Sequence, residues 1–211
     1  MSRKEAPISA LQNYLPPNTL EPVVSYLQFY HVHLTVARER KSILGDYRHR
    51  THAKNHRISV NGNLNQYAFL ITLLHELAHL LTFENFGNKV ASHGKEWKFI
   101  FGQLLAQFIE HEIFPADIKN ALLQSLHNPA ASSCADELLL KTLKNYDEKQ
   151  SHLVFVEEIP EGALFKTHDG KIFRKGEKMR KRFKCVEVKT NRLYLFSPVY
   201  ECSPCPPKGE T

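Results

Sequence analysis

The segment His75-Glu76-Leu77-Ala78-His79 sits inside an apolar stretch that runs from Ala68 through Leu81, and it constrains the chain more than any other. Three polar side chains at the centre of such a stretch rule it out as a membrane span. The spacing points to a helix. Residues four apart on an α-helix stand about 40° from each other and one turn along, so both imidazoles leave the same face and can hold one ion. Glu76 lies beside the first of them, within reach of a water on that ion. Burying two histidines and a glutamate among leucines costs free energy that only a task would justify. Zinc is the expected occupant, one ion per chain, because imidazole is a borderline ligand and three protein ligands plus water make a catalytic site.

The helix carrying this motif is predicted from Gln66 to about Phe86, ending at Gly87, which suits a left-handed C-terminal cap. A turn then leads to His93-Gly94, near the start of a second helix predicted from about Ser92 to Ile113, with Pro115 beyond it. That turn can bring His93 back to the metal as a third ligand. His111-Glu112 repeats the first two letters of the motif, but Pro115 stands where the second histidine should be. It is not a site.

Upstream, Pro16-Pro17-Asn18-Thr19 reads as a helix entry, and Leu20, Val23, Val24, Leu27 and Tyr30 follow at helical spacing. His33 to Ala37, Leu44 to Tyr47 and Arg57 to Val60 read as strands, the last ended by Asn61-Gly62-Asn63. Two more helical stretches are expected at 116–127 and 134–147. Helix, three strands, then several helices describe an α+β domain over residues 1–150. From Leu153 the pattern changes to short strand-like runs punctuated by Gly162, Asp169-Gly170, Gly176 and Thr190-Asn191. These predict a small all-β module over 151–201, followed by a tail, 202–211.

The net charge is +6, and residues 163–195 hold 11 Lys/Arg against 3 Asp/Glu. A polyanion is a fitting partner for that segment; a solvated basic face is the other reading. Lys178, Arg180, Lys181 and Arg182 are expected around a turn after Gly176, with Phe173, Phe183 and Tyr194 interleaved nearby. The mixture suits phosphate contacts and base stacking on DNA, or equally a small core with a wet side. Arg48 and Arg50, in a His-rich basic loop running to Arg57, are further candidates for phosphate contact, or part of a solvated hairpin. Four irregularly spaced cysteines do not make a disulfide framework. The charged N-terminus has no apolar stretch behind it, so a cytoplasmic, soluble protein with no membrane partner is expected.

Thr72-Leu73-Leu74-His75-Glu76-Leu77-Ala78-His79, followed by His93-Gly94-Lys95-Glu96-Trp97, resembles the SprT-like (Spartan-related) metalloprotease family. Its members carry HExxH and then a His-Gly pair with an aromatic residue three places after the glycine. Gly94 and Trp97 keep that spacing. Gly45-Asp46-Tyr47-Arg48 and Ile58-Ser59-Val60-Asn61 also resemble the strand region ahead of the family's helix. The resemblance implies a zincin fold, zinc ligands at His75, His79 and His93, and a general base at Glu76. It further implies hydrolysis of a protein substrate, in some members a protein crosslinked to DNA, which places such members in DNA–protein crosslink repair.

The C-terminal part departs from the pattern. Many relatives carry a zinc ribbon with two cysteine pairs, whereas this module has Cys185 in its body and Cys202-Ser203-Pro204-Cys205 at its end. Thr167-His168-Asp169-Gly170 offers no cysteine. A ribbon that lost its metal and kept its sheet is expected, with a second zinc on His168, Cys185, Cys202 and Cys205 as the alternative. Cys134 and Cys185 otherwise serve as small hydrophobes. Two functions follow: a zinc-dependent endopeptidase, or a zinc-bearing nucleic-acid adaptor with little or no turnover. Glu76 favours the enzyme, since a structural site needs no base beside an open coordination position.

Overall fold

The computed structural model describes residues 6–40, 43–126, 136–147 and 153–205. The chain divides into two compact units, Met1–Glu148 and Lys149–Thr211. The first is α+β: a short 3-10 helix (Ile8–Tyr14), α1 (Leu20–Phe29), β1 (His33–Ala37), β2 (Gly45–Arg48), β3 (Arg57–Asn61), α2 (Gln66–Phe86), α3 (Lys95–Glu110), α4 (Ala116–Ser125) and α5 (Glu137–Lys144). Cys134 and the first residues of the helix expected at 134–147 lie outside the described residues.

The motif helix α2 has the ends its sequence predicts. Asn65 Oδ1 accepts the Ala68 N–H at 2.9 Å, which satisfies one of the free donors of the first turn. The Gly87 N–H donates to Phe83 O at 2.7 Å. Gly87 has φ 61° and ψ −142°, so the cap is not the left-handed helical one expected but lies near the mirror image of extended backbone. Positive φ with ψ so far from helical is in practice open only to glycine. Between its caps α2 buries Phe69, Leu70, Ile71, Leu73, Leu74, Leu77, Ala78 and Leu80, which lie on every side of it. A helix hydrophobic all round belongs to a core, and α2 is the centre of this one.

The sheet supplies one wall. Its order is β1-β3-β2, with β1 parallel and β2 antiparallel to β3. The central strand β3 contributes Ile58 and Val60 to the same apolar core as α2, and β2 is one of the sheet's two edge strands. Asn61 ties the loop ahead of β2 to the end of β3: its Nδ2 donates to Arg40 O at 3.1 Å and Ile43 O at 3.0 Å. Arg40 answers with Nε to Asn61 Oδ1 at 2.7 Å. On the far side α3 begins at Lys95, later than predicted, because Ala91 to Gly94 close into a turn through a Gly94 N–H···O Ala91 bond of 3.0 Å. That turn keeps His93 off the helix.

The second unit is a six-stranded antiparallel sheet in the order β4-β9-β5-β6-β7-β8. The strands are β4 (Val154–Phe155), β5 (Leu164–Lys166), β6 (Ile172–Met179), β7 (Arg182–Glu187), β8 (Leu193–Phe196) and β9 (Glu201–Pro204). Two expectations need correction. Gly176 does not end a strand: β6 runs through it with a register shift between Lys175 and Lys178. A Cβ at Gly176 would stand 2.7 Å from Lys184 O, so glycine here permits close backbone approach at a bulge. The hairpin turn is Arg180-Lys181, with Arg180 at φ 50°. Cys202, Ser203 and Pro204, assigned to the tail from sequence, form β9 and pair with β4 and β5.

The small core of this unit holds Val156, Ile159, Phe165, Phe173, Cys185 and Cys202. Lys175 enters it, only 6% exposed. Its ammonium donates to Glu157 O at 2.8 Å and Ile159 O at 2.5 Å, and lies 4.1 Å from the centre of the Phe183 ring. A buried cation needs such partners. Among the described residues, no helix is long and apolar enough to cross a membrane.

Candidate metal centre

His75 and His79 project from one face of α2, and the turn ahead of α3 returns His93 to meet them. His75 Nε2 lies 3.1 Å from His79 Nε2 and 3.3 Å from His93 Nε2. Nitrogens bound tetrahedrally at about 2.0–2.1 Å from zinc stand about 3.3 Å from each other. The three rings therefore have the spacing of a ligand set. Hydrogen bonding alone accounts for it poorly, since a ring nitrogen either donates or accepts and His75 Nε2 faces two others at once. The donor set fits a borderline metal.

Trp97 is the floor of this cluster. It is fully buried, and its ring centre lies 4.7 Å from His75, 5.3 Å from His79 and 4.7 Å from His93. Packing on one rigid indole limits the rotamers open to all three imidazoles. Burial, then the neighbouring rings, pushes His75 down to about 3. The same two causes push His79 down to about 4. His93 is lowered too, by burial and then by Lys98. At neutral pH all three are neutral, the form a metal requires.

Glu76 is 6% exposed and faces β2. A Cβ at Gly45 would run into Glu76 Oε1, and would stand 2.8 Å from Thr72 Cγ2 and 2.9 Å from Glu76 Cγ. Gly45 is thus required for the strand backbone to lie against the motif carboxylate. Burial pushes the Glu76 carboxyl up to about 8; Asp46 adds to the rise and Arg40 opposes it. A cation at the imidazoles would act in the same sense as Arg40.

The remaining sequence candidates fall in several places. Arg48 pairs with Asp46 at 2.8 Å and Arg50 with Glu84 at 3.2 Å, which partly neutralises that basic loop. Lys178, Arg180, Lys181 and Arg182 are exposed at the β6–β7 hairpin of the second unit, with Lys178 Nζ 5.6 Å from the Phe183 ring centre. His111 is the exposed C-cap of α3. His168, Cys185, Cys202 and Cys205 do not gather: among the described residues, His75, His79 and His93 are the group at ligand spacing. Cys185 and Cys202 are instead spent on the core of the sheet. Sequence reasoning missed what Gly45 does, and it missed Tyr47, His56 and Glu84, whose contacts cross from strand to helix. The Gly-Asp-Tyr strand was the available signal.

A model of the SprT-like family matches residues 20–119. This segment, a little under half of the chain, is similar to the SprT-like family. The SprT-like segment runs from α1 to the first turns of α4 and contains the whole histidine cluster, the sheet and Trp97. The match suggests a metalloprotease-type function. No curated protein and no solved structure matches the chain.

Purified protein is expected to hold one metal equivalent. His93→Ala should lower that content markedly, while His111→Ala should leave it unchanged. Elemental analysis of the three proteins checks this. Full metal content in His93→Ala would remove it from the ligand set, and two equivalents in the wild type would revive the cysteines.

Proposed function

We propose that the chain is a zinc-dependent endopeptidase in which His75, His79 and His93 hold the metal and Glu76 is the general base. The observation that carries this reading is the convergence of His75 and His79 on α2 with His93 from the turn ahead of α3, beside the buried carboxylate of Glu76. Bound zinc supplies Lewis-acid chemistry, polarising a carbonyl and lowering the pKa of water to about 7. The chain's own part is proton handling and placement. Glu76 takes a proton from the attacking water and returns it to the leaving amine. Gly45 keeps β2 tight over Glu76, which excludes bulk water from one side of the carboxylate. Trp97 holds the ligand rings in place from beneath.

The proposed substrates are proteins associated with DNA or crosslinked to it, in a cytoplasmic setting. The second unit supports this with its basic hairpin. Arg180 and Lys181 stand at its tip with Lys178 and Arg182 beside them, all exposed, a shape suited to phosphate contacts without sequence preference. A nucleic-acid adaptor without turnover would share the hairpin. It has no use for a buried carboxylate beside the metal.

Glu76→Gln keeps the side-chain shape and removes the base. Zinc content should persist, while cleavage of a DNA-bound basic protein should fall by about 10² or more; equal cleavage by both proteins would overturn the assignment. The hairpin is tested separately by titrating the full chain with DNA at two salt concentrations. Arg180→Glu with Arg182→Glu should lower both the affinity and its salt dependence. Wild type that does not bind DNA even at low salt would remove DNA from the reading.

A further inference from the structure

The inner face of β2 presents two residues to the motif helix. Gly45 lies on Glu76, as described, and Tyr47 lies by His79, their rings almost parallel at 4° with centres 6.4 Å apart. Tyr47 also stacks against His56, with centres 5.9 Å apart and planes at 18°. The tyrosine ring is therefore placed between a metal-ligand imidazole and a second imidazole that is not a ligand.

That second imidazole is fixed from three directions. His56 Nδ1 is 2.9 Å from the Tyr47 hydroxyl and receives the Arg50 backbone N–H at 3.3 Å. A nitrogen that accepts an N–H carries no proton of its own, so the Tyr47 hydroxyl is the donor and the His56 proton resides on Nε2. Nε2 faces Glu84 Oε1 at 3.2 Å, a close polar contact rather than a straight hydrogen bond. The other carboxylate oxygen of Glu84 pairs with Arg50 Nη2 at 3.2 Å. Stacking of His49 on Phe83, with ring centres 4.6 Å apart, pins the same loop to α2.

His56 is 3% exposed, so it contributes neither to a basic surface nor to substrate contact. The cost of burying it needs an explanation, and the geometry supplies one. Glu84 lies on α2 beyond His79, and the path Arg50–Glu84–His56–Tyr47 leads from the helix through the strand loop and back to the His79 ring. Metal-ligating imidazoles work in a fixed orientation set by neighbours that are not themselves ligands.

We infer that Tyr47 is a positioning residue of the metal centre: anchored at its hydroxyl by His56, and through it by Glu84, its ring sets the plane of the His79 imidazole. The inference rests on the reading of His75, His79 and His93 as a metal site. A ring that merely filled space would be served equally by phenylalanine. The anchored hydroxyl distinguishes the two cases.

The test uses the full chain loaded with cobalt(II), whose visible absorption reports ligand geometry without any need for turnover. Wild type, Tyr47→Phe, Tyr47→Ala and Glu84→Gln are compared by spectrum and by competition against a chelator, with circular dichroism establishing that each is folded. Wild type should show the intense absorption of a four-coordinate ion. Tyr47→Phe and Glu84→Gln, which barely change volume, should each shift the band and weaken binding by about 10-fold, and Tyr47→Ala by up to about 100-fold. Unchanged spectra and affinities in Tyr47→Phe and Glu84→Gln would overturn the positioning role while leaving the metal site intact. A change confined to Tyr47→Ala would reduce the ring to packing and overturn it equally. Wild type that takes up no cobalt would remove the metal reading itself, and the inference with it.

Discussion

The backbone of β2 lies directly on the Glu76 carboxylate, and the candidate metal centre is built against that contact. It requires glycine at position 45, since a methyl group there would strike the carboxylate oxygen and the Thr72 methyl together. It also requires that the edge strand be held down. Asn61 and Arg40 do so at one end, and the Tyr47–His56 bond does so near the other. Beneath lies a helix enclosed on all sides by its own apolar core, so its few polar groups have little freedom to rearrange.

Enclosure also explains the electrostatics. Burial drives Glu76 toward its neutral form, and the three histidines likewise. The same desolvation that disfavours imidazolium leaves nitrogen lone pairs free for a cation. The imidazoles are half-buried and Glu76 is buried, so a charge brought to the site is screened less than in bulk water. The cluster is thus a place where a cation has much to stabilise. Trp97 adds rigidity, since one buried indole touches all three rings.

What could be read from the sequence was local. The ends of α2 at Gln66 and Gly87 were legible because helix boundaries are set within a few residues, and the four-residue spacing of His75 and His79 is a property of the helix itself. His93 could be proposed from the turn after Gly87, and the spacing of Gly94 and Trp97 in the family pattern added to that reading. Contacts between distant segments left no such trace. His56 and Glu84 meet across a strand and a helix, and in the sequence His56 looks like one more residue of a basic loop and Glu84 like a polar position near the end of a helix. Gly176 reads as a turn, yet it is the close-approach residue of a bulge, because the pairing that makes it so lies in β7. Cys202-Ser203-Pro204 reads as a tail for a similar reason: strands as short as β9 are defined by their partners and not by their composition. Lys175 belongs to the same class, a lysine placed inside a sheet core by two carbonyls from elsewhere in the chain.

X-ray absorption at the zinc edge of the purified full chain reads the ligand atoms and needs no substrate. One zinc surrounded by three imidazole nitrogens and one oxygen at about 2.0–2.1 Å is expected. Sulfur scatterers at about 2.3 Å would place the metal on cysteines instead. That result, or the absence of zinc, would rule out a three-histidine zinc site.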